Sequence, residues 1–298
     1  MSRDVTPGRA AATTYPGLQV ECDRGVAWLT IDHPPINLLD EELISSIEAV
    51  AAALRDDDSV RVVVLSSADP DFFIAHVDAS RIQGEPAGRP VRTSGLGRFH
   101  RMTEQFRTMP KATIGVLEGR ARGGGSELLA ALDMRFGARE TAVIAQPEVA
   151  TGIIPGGGGS ARLPRLLGRG RALEIILGCD DLDAELAERY GFLNRALPQD
   201  QLVGFVRRLA ERIASFPAES IARAKAAVRA AEELPLAEAL IEEERLFHES
   251  LATSAAQERL DRFLAIGGQT RGFELDLSDH LTALADVSEW SGRTHDHI

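Results

Sequence analysis

The sequence predicts an α/β fold in which a superhelical or layered alternation of strands and helices gives way to an almost wholly helical second half. The apolar, β-branched runs Val60 to Leu65 and Ala112 to Leu117 read as strands buried on both faces. Segments between such runs carry apolar residues at helical spacing. After Gly159 the strand-type runs stop and helical segments follow one another. Alternation of this kind belongs to layered α/β architectures more than to a sandwich.

Taken in order, Val26 to Ile31 reads as a strand. Asp40 to Leu54 reads as an amphipathic helix with Leu43, Ile47, Val50 and Leu54 on one face and Asp40 as its N-cap. The strand Val60 to Leu65 follows, then a polar loop from Gln83 to Gly97 rich in Gly, Pro and Arg. His100 to Met109 is expected as a helix and Ala112 to Leu117 as a strand that runs directly into Gly123-Gly124-Gly125. Glu127 to Leu132 has a helical pattern, and Met134 to Gly137 and Ala142 to Ala145 read as short strands. Beyond Gly159 the expected helices are Ser160 to Leu167, Ala172 to Leu177, Ala184 to Tyr190, Gln201 to Phe216 and Ala218 to Glu233, with Pro217 separating the last two. Leu236 to Leu264 reads as one long charged amphipathic stretch, and the residues after Gly267 carry no pattern that assigns an element. No segment repeats another closely enough to count as an internal repeat.

A chain of 298 residues, 44% hydrophobic, can bury a sizeable core. Its net charge of -12 argues against a dedicated nucleic-acid binder. Two cysteines, Cys22 and Cys179, form no C-x-x-C pair, which argues against a disulfide framework or a zinc site and fits a reduced, cytoplasmic setting. No apolar run is long enough to cross a bilayer, and Met1 to Pro16 lacks the apolar centre of a secretory signal.

The chemistry-bearing residues are two glutamates. Glu127 follows the glycine triple, whose turn into a helix exposes backbone N–H groups able to bind a developing negative charge. Glu148 closes Gln146-Pro147-Glu148, twenty-one positions later, just ahead of Pro155-Gly156-Gly157-Gly158-Gly159. Two carboxylates beside such donors can move protons to and from carbon or water, which points to an enolate formed from a thioester or a similar carbonyl. The run Gly156 to Gly159 lacks the Gly-Lys-Ser/Thr ending of a nucleotide loop and reads as close helix packing. Arg162 reads as an ion-pairing residue on a surface or between subunits.

The ordered series Gly123-Gly124-Gly125-Ser126-Glu127-Leu128, Asp133-Met134-Arg135-Phe136, Gln146-Pro147-Glu148, Gly152 to Gly159 and Arg162-Leu163-Pro164 resembles the crotonase (enoyl-CoA hydratase/isomerase) superfamily from about Leu18 to about Phe216. The resemblance implies an α/β spiral of ββα repeats with a helical C-terminal region. The expected division is a flexible tail over 1–16, a spiral core with the active site over 17–200 and a helical oligomerisation region over 201–298. It also implies acyl-CoA substrates, homotrimers or dimers of trimers, and no nucleic-acid or membrane partner. No cofactor and no metal are expected, because the coenzyme A thioester is itself the substrate.

In the family two backbone N–H groups bind the thioester oxygen, and here the match assigns them to Gly124 and to Val77 within Phe73-Ile74-Ala75-His76-Val77-Asp78. Glu127 and Glu148 align with the two glutamates of the hydratases. Ala75, His76, Asp78 and Gly123 fall at substrate-binding positions, although Asp78 also reads as a helix cap. The implied reaction is addition of water across the 2,3 double bond of a trans-2-enoyl-CoA, with Glu127 orienting the water and Glu148 giving a proton to the α-carbon. Isomerase, hydrolase or decarboxylase chemistry would use the same oxyanion hole, and a non-catalytic acyl-CoA-binding or RNA-binding role is the reading from a different class.

Two stretches depart from the pattern. His76 stands where the family usually has glycine, at a position expected to need an unusual backbone angle. It reads as a packing or pocket-shaping residue. Arg120 and Arg122 flank the approach to the glycine triple and, with Arg81, are candidates for the coenzyme A phosphates by position or for plain surface charge.

Overall fold

In the computed structural model, which describes residues 15–84 and 94–285, ten strands occur. They are β1 (Leu18–Asp23), β2 (Val26–Ile31), β3 (Val62–Ser67), β4 (Phe72–Ile74), β5 (Ala112–Leu117), β6 (Arg120–Arg122), β7 (Met134–Ala138), β8 (Val143–Ala145), β9 (Leu182–Asp183) and β10 (Arg195–Leu197). The main sheet has the order β1-β2-β3-β5-β7-β10, and a second sheet has the order β4-β6-β8-β9. Strand pairs close together in sequence, β3 with β4, β5 with β6 and β7 with β8, therefore split between the two sheets. Each successive pair is laid parallel to the one before it. A chain that places one strand in each of two sheets and then moves along by one register winds a spiral, which is the ββα architecture expected.

The helices are α1 (Glu41–Arg55), α2 (Ala79–Gln83), α3 (Arg98–Thr108), α4 (Gly124–Ala130), α5 (Gly159–Leu167), α6 (Arg169–Gly178), α7 (Ala184–Tyr190), α8 (Gln199–Ala214), α9 (Ala218–Glu233), α10 (Leu236–Leu251) and α11 (Ser254–Ala265). Shorter turns close the described chain at Arg271–Leu275, Leu277–His280 and Leu281–Ala285. Asp40 caps α1 as expected, accepting the Leu43 N–H at 2.9 Å. The expected single stretch from Leu236 to Leu264 is two helices, because Thr253 leaves the helical path and its hydroxyl caps α11 by accepting the Ala256 N–H. The expected tail over 1–16 and the loop from Gln83 to Gly97 fall largely outside the described residues.

Two apolar cores lie on the two faces of the main sheet. One packs α1, α3, α4 and the second sheet, through residues such as Leu43, Phe106, Leu128 and Phe73, against Leu29 and Leu65 of the main sheet. The other presses α8, through Leu202, Val206, Ala210 and Ala214, onto Val62, Val64, Ile114 and Phe136. Thus α8 covers one face of the core sheet. Next along the chain, α9 is tied down by Lys225, whose Nζ lies 2.8 Å from Asp133 and donates to the carbonyls of Phe106 and Lys111.

Candidate active site

The site is assembled where the β4, β6 and β8 strands end. The segment after β4 runs beside Leu39 as an isolated parallel bridge: the Leu39 N–H donates to His76 O at 3.0 Å and the Asp78 N–H donates to Leu39 O at 3.2 Å. In such a bridge the central residue turns its own N–H and C=O to the other side. The Val77 N–H is therefore directed away from Leu39. Across from it, β6 leads into Gly123, whose φ of 51° favours glycine and whose N–H is held by Ala145 O at 3.0 Å. Gly124 then opens α4, and any side chain there would collide with Val77 Cγ2. Val77 and Gly124 are thus immediate neighbours, and neither N–H has a backbone acceptor among the described residues.

Glu127 lies in the first turn of α4 and is 3% exposed. Its Oε1 accepts the N–H of Gly157 at 2.7 Å and of Gly159 at 2.8 Å. Burial pushes its carboxyl above the usual range, while those two N–H groups and the His100 and Arg162 side chains pull in the opposite direction. Glu148 begins a short 3-10 turn after Pro147. Burial pushes its carboxyl up to about 7, its own backbone N–H opposes this, and the charge of nearby Glu127 adds to it. Glu148 Oε2 is buried with no hydrogen-bond partner among the described residues. Its other oxygen lies 2.8 Å from the point where a side chain on Gly123 would begin.

The glycine run after Pro155 grips the Glu127 carboxylate. A side chain on Gly157 would overlap Glu127 Oε2 and Phe99; one on Gly158 would overlap Arg162; one on Gly159 would meet Pro155, Gln146 and Glu127. Close packing, the sequence-based reading of this run, is present, but what packs there is a carboxylate. Leu39, Phe99 and Gln146 border the site with no role assigned from sequence. The Gln146 amide and the Ser126 hydroxyl are buried without partners among the described residues. Gln146 was visible beside Glu148 in the motif; Leu39 and Phe99 carried no signal, because their proximity depends on the turn of the spiral.

The remaining expected residues divide. Ala75 is buried, and His76 is exposed with its Cβ 3.9 Å from the Gly123 side-chain position. His76 is absent from the positive-φ residues, so the expected backbone cost does not arise. Its Nδ1 lies 2.9 Å from Val77 O; a carbonyl only accepts, so Nδ1 carries the proton and donates it. Asp78 caps α2, accepting the Ser80 N–H at 2.9 Å. Arg122 is held by Asp181, with Nε 2.7 Å from its carboxylate. Arg81 pairs with Glu41 at 3.2 Å, and Arg120 lies 3.9 Å from Asp71. Arg162 is an intramolecular brace between α5 and α3, bonded to Glu104, Thr103 and Gly157 O.

The chain is similar to known proteins over most of its length. The profile of the enoyl-CoA hydratase/isomerase family matches residues 21–267. A probable enoyl-CoA hydratase of Rhizobium meliloti is 35% identical over 85% of this chain and 96% of its own length. The crotonyl-CoA hydratase of Syntrophomonas wolfei is 30% identical over 84% of this chain and 95% of its own. The crystal structure of a provisionally assigned enoyl-CoA hydratase from Streptomyces avermitilis superposes with a TM-score of 0.68 at 39% identity, covering 91% of this chain and 98% of that one.

Proposed function

The chain belongs to the enoyl-CoA hydratase/isomerase family, and from that premise we propose that it adds water across the 2,3 double bond of a trans-2-enoyl-CoA. The observation that carries the proposal is the contrast between its two glutamates. Burial raises both carboxyls; two N–H donors of the glycine loop oppose the rise at Glu127 and favour its anion, whereas Glu148, pushed up to about 7 and opposed only by its own N–H, holds a proton near neutrality. A base and an acid side by side suit addition of water to a polarised alkene.

The thioester oxygen sits between the Val77 and Gly124 N–H groups, which draw electron density from the double bond towards that oxygen. Water, oriented by Glu127, bonds through its oxygen to C3 as the π bond breaks and the electrons pass to the enolate. One water proton goes to Glu127. The enolate collapses as C2 takes the proton of Glu148. The pair therefore holds one proton before and after the step, and its titration belongs to the pair as a whole. Each N–H aimed at the enolate oxygen is worth about 3 kcal/mol of barrier. Ala75, His76 and Gly123 line the approach, and Asp78 supports it by starting α2.

The reaction as written draws on no cofactor, since the coenzyme A thioester is the substrate. We place it in the cytoplasm, in keeping with the acidic, cysteine-poor composition. The assembly is a homotrimer or dimer of trimers; α9 and α10 leave Val228, Leu240, Ile241 and Phe247 exposed, an apolar surface suited to burial against other copies. The direct experiment is to follow the conjugated-enoyl absorbance of trans-2-enoyl-CoAs of several chain lengths with purified protein. Hydration removes the absorbance; a protein that leaves it intact while moving the double bond of a 3-enoyl-CoA would be an isomerase.

A further inference from the structure

Arg162 has no part in the chemistry above, yet it touches the loop that holds Glu127. Its guanidinium Nη1 donates to Gly157 O at 3.2 Å, and Nη2 donates to Thr103 Oγ1 at 3.1 Å and Glu104 Oε1 at 2.6 Å. Gly157 is thereby used at both ends, its C=O by Arg162 and its N–H by Glu127 Oε1 at 2.7 Å. Gly158, with φ of 123°, leaves the space that the guanidinium occupies. On the far side Glu104 is shared with Arg107; burial pushes its carboxyl up, but the hydrogen bonds and charges of these two cations outweigh that and hold it below the usual range. Arg162 is 15% exposed, so its charge acts in partly desolvated surroundings.

We infer that Arg162 is a positioning residue for Glu127, fixing the Gly157–Gly159 clamp between α3 and α5 so that the carboxylate is held in the orientation that activates water. The inference deepens the hydratase reading and rests on it for the part that concerns turnover. The path is a chain of contacts: Glu104 on α3, Arg162 on α5, the Gly157 peptide, Glu127 on α4. A planar guanidinium with several donors can bridge three acceptors at once, which a lysine ammonium on a flexible stem does less rigidly. The groups that act electrically on Glu127 are Arg162 from α5, His100 from α3 and Glu148 from the turn after β8.

The test uses the full-length Arg162→Gln, Arg162→Lys and Glu104→Gln proteins with two readouts. The first is turnover of a trans-2-enoyl-CoA against pH. Arg162→Gln is expected to lose roughly 10- to 100-fold in kcat with KM within about threefold, as for a group acting on the transition state alone. The acid limb of its pH profile should move upward. Arg162→Lys should restore the limb but only part of kcat, and Glu104→Gln should fall in between. The second readout needs no turnover: the Glu127 carboxyl is followed by carbon-13 NMR titration, assigned by its loss in Glu127→Gln. Loss of the Arg162 charge should raise the Glu127 midpoint. A wild-type protein that hydrates no enoyl-CoA yet shows this NMR shift would overturn the hydratase reading and leave the positioning role standing. An unchanged Glu127 midpoint in Arg162→Gln, or an unchanged kcat with a raised KM, would overturn the positioning role. If Arg162→Gln does not fold, Glu104→Gln decides by the same two readouts, and wild-type values in it count against the inference.

Discussion

The Gly157 N–H donates to Glu127 Oε1 at 2.7 Å, and the space a Gly157 side chain would need is already filled by the second oxygen of that carboxylate and by Phe99. A Gly157→Ala protein must therefore push Glu127 or Phe99 aside. Its kcat should fall by about 100-fold, the scale seen when a reacting group is displaced by roughly 1 Å. Circular dichroism and steady-state kinetics would check this; a folded protein with wild-type kcat would show that the clamp has no bearing on catalysis.

The two glutamates set the pH dependence. The proposed mechanism needs Glu148 protonated, so kcat/KM should fall as pH rises through about 7. It needs Glu127 ionised, so kcat/KM should also fall as pH drops through its raised value. In Glu127→Gln the neighbouring charge is gone, and the Glu148 midpoint should move down. There is a matching stability effect. A carboxyl raised by folding contributes stability below its unfolded value of about 4.3, and that contribution is lost as pH rises through the folded value. Glu148→Gln should thus gain in Tm relative to the wild type between those limits. A Tm difference independent of pH would mean that Glu148 is not raised.

His76 does not occupy a left-handed conformation, so glycine is not required there. His76→Gly should fold, with a loss of about 1 kcal/mol or less from added chain freedom. Because the histidine stands at the mouth of the site beside Gly123, its loss should change KM for enoyl-CoAs more than kcat. Parallel kinetics on short and long enoyl-CoAs would decide; a collapse of kcat alone would make His76 part of the acid–base machinery.

Lys225 ties α9 to the core through Asp133 and two carbonyls. Burial lowers its pKa while Asp133 opposes the shift. Lys225→Met leaves Asp133 without its cation and should cost about 3 kcal/mol, read as a lower urea midpoint with an unchanged slope. A midpoint within error of wild type would show that α9 is held by packing alone.

How much of this could be read from the residues depended on range. Val26–Ile31 and Ala112–Leu117 were legible to the residue, the second because it is buried at every position and carries mostly apolar residues. In the second sheet Val143–Ala145 was legible but Arg120–Arg122 was not: three residues with two arginines carry no strand signal, and only pairing with β4 and β8 makes them a strand. Glu127 and Glu148 stood out beside their motifs. The glycine run at Gly156 to Gly159 was legible as close packing, but its partner, a carboxylate from another helix, is a contact across about thirty residues of chain and left no local trace. The partners of Arg162 left no local trace for the same reason, since Glu104 and Thr103 reach it only through the turn of the spiral.

The central claim is that Glu127 and Glu148 add a water molecule to an enoyl thioester. It is tested most directly by incubating trans-2-enoyl-CoA with the protein in oxygen-18 water and weighing the product by mass spectrometry, with Glu127→Gln and Glu148→Gln in parallel. The account predicts a 3-hydroxyacyl-CoA heavier by one labelled water, and a rate reduced by about 100-fold or more in each variant. Unlabelled product, label found in a released carboxylate, or full rate in either variant would contradict it.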